Sequence, residues 1–113
     1  MNKLKELKIW IKAIDLTVDV YERFGLTSQS RGAVVSISFN IAKVAGRNSI
    51  KEFNNFLGIA NGSSYELQTQ LIIANKLELL STNSLDSLLN QIDELQKMIY
   101  GFQQMLEKKI IKK

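Results

Sequence analysis

Six charged side chains recur at spacings of three and four near the start of the chain: Lys5, Lys8, Lys12, Asp15, Asp19 and Glu22. On a helix this spacing places them on one flank, basic over its first half and acidic over its second. Clustered carboxylates are the groups a magnesium site uses, but all three acids come from one helix, and no second segment supplies a matching pair. No metal site is expected. The order also opposes the helix dipole, which favours acids at the start and bases at the end, so compensation must come from outside this helix. The flank is either a solvated face or a set of charges that pairs with another subunit.

The residue types that most often carry catalysis are missing. The chain has no histidine and no cysteine, which excludes imidazole bases, Glu-x-x-His di-iron sites, thiolate nucleophiles and disulfides together. Serines and threonines are plentiful, yet none has an activating base nearby in sequence. Gly58 and Gly62 sit four apart inside an apolar-periodic segment rather than in a phosphate-binding turn, and they are expected to mark a close approach between helices. The chain is read as non-enzymatic, with no cofactor.

The elements that must position these groups are helices. The 113 residues contain no proline, 45% hydrophobic and 23% charged residues, the composition of one small globular domain with few loops. Apolar periodicity predicts helices at about 3–23, 28–45, 50–77 and 82–110. The expected core seams are Leu4, Leu7, Ile11, Ile14, Val18 and Tyr21 in the first helix, and Val34, Ile37, Ile41 and Val44 in the second. The third carries Phe53, Leu57, Ala60, Ser64, Leu67, Leu71 and Ala74. The fourth carries Leu85, Leu88, Ile92, Leu95, Ile99, Phe102 and Leu106. Gly25 and Gly46 read as stops, Thr27 as a cap, and Ser49 with Glu52 as a capping box. Short connections make successive helices antiparallel, so the fold class is all-α, an antiparallel up-down-up-down four-helix bundle forming a single domain over 1–113.

The first helix is apolar on two faces. Ile9, Ala13, Leu16 and Val20 form a second seam nearly opposite the expected core seam, and the second helix carries Val35, Phe39 and Ala42 off its core face. Two stripes imply burial on two sides, so these seven residues are expected to form a homo-oligomer interface. Lys12, Asp15, Asp19 and Glu22 are expected to rim it and set its register. On that reading Leu16→Asp or Phe39→Asp should yield a folded but smaller species.

Up-down-up-down threading also sorts the charge. It collects Lys3, Lys5, Lys8, Lys43, Arg47, Lys51, Lys108, Lys109, Lys112 and Lys113 at one end, against only Glu6, Glu52 and Glu107. Such an end is either a solvated basic surface or the footprint of a phosphate-backbone binder, with Lys3, Lys5, Lys8, Lys43, Arg47, Lys51, Lys108 and Lys109 as contacts to RNA or DNA. No aromatic residues interleave with these lysines, so base-specific reading is not expected. The opening MNKLKELKIWIK lacks the apolar core of a signal peptide, and no apolar run reaches the ~18 residues of a membrane span, so a cytoplasmic location with no membrane partner is expected.

Several segments together resemble one known family. FGLTSQ at 24–29, AVVSISFNIAKVAGR at 33–47, KEFNNFLGIANGS at 51–63 and ELQTQL at 66–71, with LKELKIWIKA at 4–13, are similar to the four-helix bundle proteins of the 23S rRNA-intervening sequence family. Asn40, Ala42, Gly46, Arg47, Gly62, Ser63 and Glu66 match its pattern. Ser38, Phe39, Lys43 and Val44 depart from the SIPSNIAEG usual in its second helix. The resemblance implies a four-helix protomer in a homopentameric ring. It also implies kinship with the accessory protein of diversity-generating retroelements, in which a basic ring associates with nucleic acid and a reverse transcriptase. It carries over no catalytic residue. The alternative is a protein-interaction or structural module with no nucleic-acid role.

Overall fold

A computed structural model describes residues 7–25, 28–45 and 49–111. Four helices account for nearly all of them: α1 (Lys8–Phe24), α2 (Ser28–Ala45), α3 (Ile50–Lys76) and α4 (Thr82–Ile111). No strand occurs among the described residues. The helices agree closely with the apolar periodicity except at one boundary. α1 begins at Lys8, because Leu7 is extended (φ −78°, ψ 108°). Leu4, Thr27 and Gly46 lie outside the described residues.

The helix ends follow from local chemistry. Gly25 closes α1 at φ 81°, with its N–H donating to Tyr21 O at 2.9 Å. Ser49 caps α3, its Oγ accepting from Glu52 N at 3.3 Å, which is one half of the expected box. α3 ends in a tight reversal in which Leu79 N reaches back to Ala74 O and Asn75 Nδ2 donates to Leu80 O. Glu78 takes the left-handed position of this turn at φ 62°. A side chain there, or one added at Gly25, costs about 1 kcal/mol relative to glycine. Gly25→Ala should therefore lower the melting temperature by about 4 °C and Glu78→Gly raise it by a similar amount, read by thermal circular dichroism.

The core is one apolar cluster drawn from all four helices. Val34, Ile37, Ile41 and Val44 of α2 point inward, as do the α3 seam from Leu57 to Ala74 and the α4 seam from Leu85 to Leu106. Phe53 and Phe102 are part-buried against it.

In α1 the two faces are exchanged relative to expectation. Ile9, Ala13, Leu16 and Val20 are the core residues, and Leu16 is 0% exposed. Ile11, Val18 and Tyr21 of the expected core seam are turned outward. Both seams have helical spacing and similar apolar content. What separates them is the small Ala13, beside which α2 closes in until Ser38 Oγ lies 3.5 Å from Ala13 O and 2.9 Å from Thr17 Oγ1.

Each helix meets its chain neighbours, and α1 also meets α4. A belt of polar side chains runs through these contacts. Thr17 meets Ser38 between α1 and α2, Ser36 bonds Ser63 at 2.8 Å between α2 and α3, and Gln96 donates to Ser64 at 3.0 Å between α4 and α3. Asp19 accepts from Gln91 Nε2 between α1 and α4. Asn40 supports the belt by donating to the carbonyl of Ser36 at 2.8 Å. Buried hydroxyls and amides paired in this way tie the helices to one register, since sliding would strand them.

Candidate nucleic-acid interface and subunit surface

Four of the expected basic contacts fall on described side chains, and all four are exposed: Lys8 opens α1, Lys43 lies in the last turn of α2, Lys51 in the first turn of α3 and Lys108 near the end of α4. The Lys43 ammonium stands 5.4 Å from the centroid of the Phe56 ring. That cation–π contact joins the end of α2 to the second turn of α3. Lys43 and Lys108 also sit where the helix dipole favours a cation, whereas Lys51 sits where it favours an anion. The helix-end charge at Lys51 thus opposes local stability and is free to attract an anionic ligand. Glu52 and Glu107 are the exposed acids near these lysines in sequence. Lys3, Lys5 and Arg47 lie outside the described residues, as does the side chain of Lys109.

The subunit surface needs correction. Ile9, Ala13, Leu16 and Val20 are in the protomer core, so they form no outer seam. The outward apolar stripe of α1 is instead Ile11, Val18 and Tyr21, with Val18 51% and Tyr21 59% exposed. On α2, Phe39 is 64% exposed as expected, whereas Val35 is part-buried against the core and Ala42 is half-buried. The charged flank also differs. Lys12 pairs with Glu94 of α4, and Asp19 is held by Arg23 at 2.8 Å and by Gln91. These two residues face α4 within the protomer, while Asp15 and Glu22 remain exposed.

The glycines also fall differently from expectation. Gly58 and Gly62 are exposed, and a Cβ on Gly62 would meet nothing within 4 Å, so neither marks a close helix contact inside the protomer. Gly58 instead lies in a groove of about 840 Å³ whose wall includes Lys51, Asn54, Asn55 and, from α4, Gln103. Reading the sequence did not find this groove. Its only signal is the run of carboxamides at 54–55 and 103–104, which becomes a site once α3 and α4 are in register.

Among the described residues, no group of three or more acids, histidines or cysteines is placed to hold a metal ion. No described helix is long and apolar enough to cross a membrane. No curated protein matches the chain. The family model described as 23S rRNA-intervening sequence protein matches residues 5–101.

Proposed function

Since the chain belongs to the 23S rRNA-intervening sequence protein family, we propose that it is a non-enzymatic, homo-oligomeric scaffold of the cytoplasm that binds RNA or DNA backbone through one basic end. The helices thread up-down-up-down. In support, rising residue numbers in α1 meet falling ones in α4 (Lys12 with Glu94, Asp19 with Gln91, Arg23 with Ser84). The same reversal relates α2 to α3 (Ser36 with Ser63, Lys43 with Phe56) and holds between α3 and α4, where Ser64 meets Gln96 and Gly58 lies by Gln103.

On this threading Lys8, Lys43, Lys51 and Lys108 gather at one end, and the exposure of all four side chains is the observation that supports the proposal. A closed ring, five-membered as the resemblance implies, multiplies the charge onto one surface, where it displaces counterions from phosphates. The ring joins through the outward face of α1 and Phe39 of α2. A module that uses this same apolar face for another protein is the second reading, favoured by the exposure of Val18, Tyr21 and Phe39.

The test is fluorescence anisotropy with labelled RNA and DNA across a salt series. Affinity should fall steeply with salt. Lys43→Ala, Lys51→Ala and Lys108→Ala should each weaken binding alike for every sequence and reduce the log–log salt slope by about 0.7–0.9 per lost phosphate contact. Absence of binding at low salt, or binding indifferent to salt, would show the proposal wrong and leave the protein-binding module.

A further inference from the structure

Backbone binding uses only Lys51 of the residues that line the seam between α3 and α4. Near the basic end, the groove beside Gly58 is walled by three carboxamides, Asn54, Asn55 and Gln103. Each offers a donor and an acceptor side by side, the pattern that pairs with the edge of a nucleobase and that a phosphate does not need. Asn54 Oδ1 is buried without a hydrogen-bond partner, so this amide has an acceptor left to satisfy by a small shift toward the groove that the residue lines. The volume of about 840 Å³ lies within the range of about 300–1,000 Å³ common for small-ligand sites.

Farther along the same seam, a second recess of about 280 Å³ is lined by Tyr65 of α3 and Tyr100 of α4. The two rings are 54% and 64% exposed. Seven residues separate Gly58 from Tyr65, about 10 Å along the helix, so one short oligonucleotide can occupy both recesses. Lys97, which also lines the second recess, is engaged by Asp93 at 2.9 Å, so attraction there rests on the aromatic faces more than on charge. Stacking on a tyrosine needs a base whose face is open, and a duplex covers its base faces.

We propose that the α3–α4 seam is a seat for unpaired nucleotides. One base stacks on Tyr65 and Tyr100, a neighbouring base presents its edge to Asn54, Asn55 and Gln103, and Lys51 holds a phosphate between the groove and the basic end. The inference rests on the reading that nucleic acid is the ligand, and it adds strand selection and base reading that the lysines alone do not provide. It also revises the expectation that base-specific reading is absent.

The probe is a set of fluorescein-labelled single-stranded RNA homopolymers of about 12 nucleotides, with a blunt duplex of equal length, in anisotropy at fixed low salt. The full chain should bind single strands more tightly than duplex. Tyr65→Ala and Tyr100→Ala should each weaken single-strand binding about tenfold, with unchanged salt slope and unchanged duplex affinity, while Tyr100→Phe retains binding. Gln103→Ala should level the affinities among the homopolymers. Both tyrosines are exposed, so thermal melts of these variants should match the wild type. If the tyrosine variants bind single strands as the wild type does while Lys51→Ala weakens all binding, the seat is overturned and the basic end stands. If neither strand form binds, both readings fall. A change in oligomer mass with Tyr100→Ala identifies the seam as a subunit contact and overturns the seat.

Discussion

Leu16→Asp should abolish the cooperative thermal transition of this protein, while Val18→Asp, two residues away on the same helix, should keep a cooperative transition and the helical spectrum of the wild type. Leu16 is 0% exposed among the packed side chains of the four-helix core, and Val18 is half exposed on the opposite face of α1. A carboxylate at 16 has no cation to meet in that cluster. An unpaired buried charge together with the loss of a filled leucine site costs about 5 kcal/mol or more, against a total stability of about 5–15 kcal/mol for a domain of this size. Circular dichroism at 222 nm during heating separates the two outcomes. A Leu16→Asp protein that melts cooperatively near the wild-type temperature contradicts the assignment of this face to the core.

The second large effect concerns assembly. If the chain assembles as proposed, Val18→Asp combined with Phe39→Asp should yield a folded monomer, because both side chains point outward from the α1 and α2 layer of the bundle. Each is a large apolar group held more than half in water in the isolated protomer, and each carboxylate would have to be desolvated to re-enter a subunit contact. The readout is a fall in mass with an unchanged helical spectrum. Retention of the wild-type mass in the double variant places the subunit contact elsewhere. Of the two substitutions expected from sequence to give a folded but smaller species, Phe39→Asp keeps that expectation, whereas Leu16→Asp, at a fully buried position, should instead unfold the protomer.

That exchange shows where sequence patterning has force. In α2, α3 and α4 the core seams are legible because one apolar stripe is flanked by polar residues. Val34, Leu67 and Ile92 lie on the stripe richest in large aliphatic residues of their helix, and all three are fully buried. α1 has two stripes of equal period, and the choice between them is made by tertiary fit. Ala13 admits α2 to within hydrogen-bonding reach of Ser38, and the flank beside the core face brings Lys12 and Asp19 to Glu94 and Gln91 of α4. Neither contact is written in α1 itself.

The candidate site divides in the same way. The proposed basic end could be drawn from sequence because charge needs only topology, and four helices joined by short connections leave few alternatives. The groove beside Gly58 could not, because it exists only where residues 49–59 of α3 lie alongside Gln103 of α4. Taken singly, Asn54, Asn55 and Gln103 read as polar positions of a solvated face. The pairing of Lys43 with Phe56 is equally a product of register, joining a cation to an aromatic ring 13 residues away in the chain. Small residues at a spacing of four suggest helix contact, but within the protomer Gly62 is open and Gly58 meets only the side chain of Gln103, with a Cβ there 3.8 Å from its Nε2.

On the proposed function the protomer assembles through the outward face of α1 and α2 and presents its lysines together. The most direct measurement is the mass of the wild-type chain in solution by multi-angle light scattering across a concentration series. A homo-oligomer gives one species several times the chain mass of 12.8 kDa, five times that value for the ring, holding its size on dilution into the micromolar range. A particle of 12.8 kDa at every concentration contradicts it.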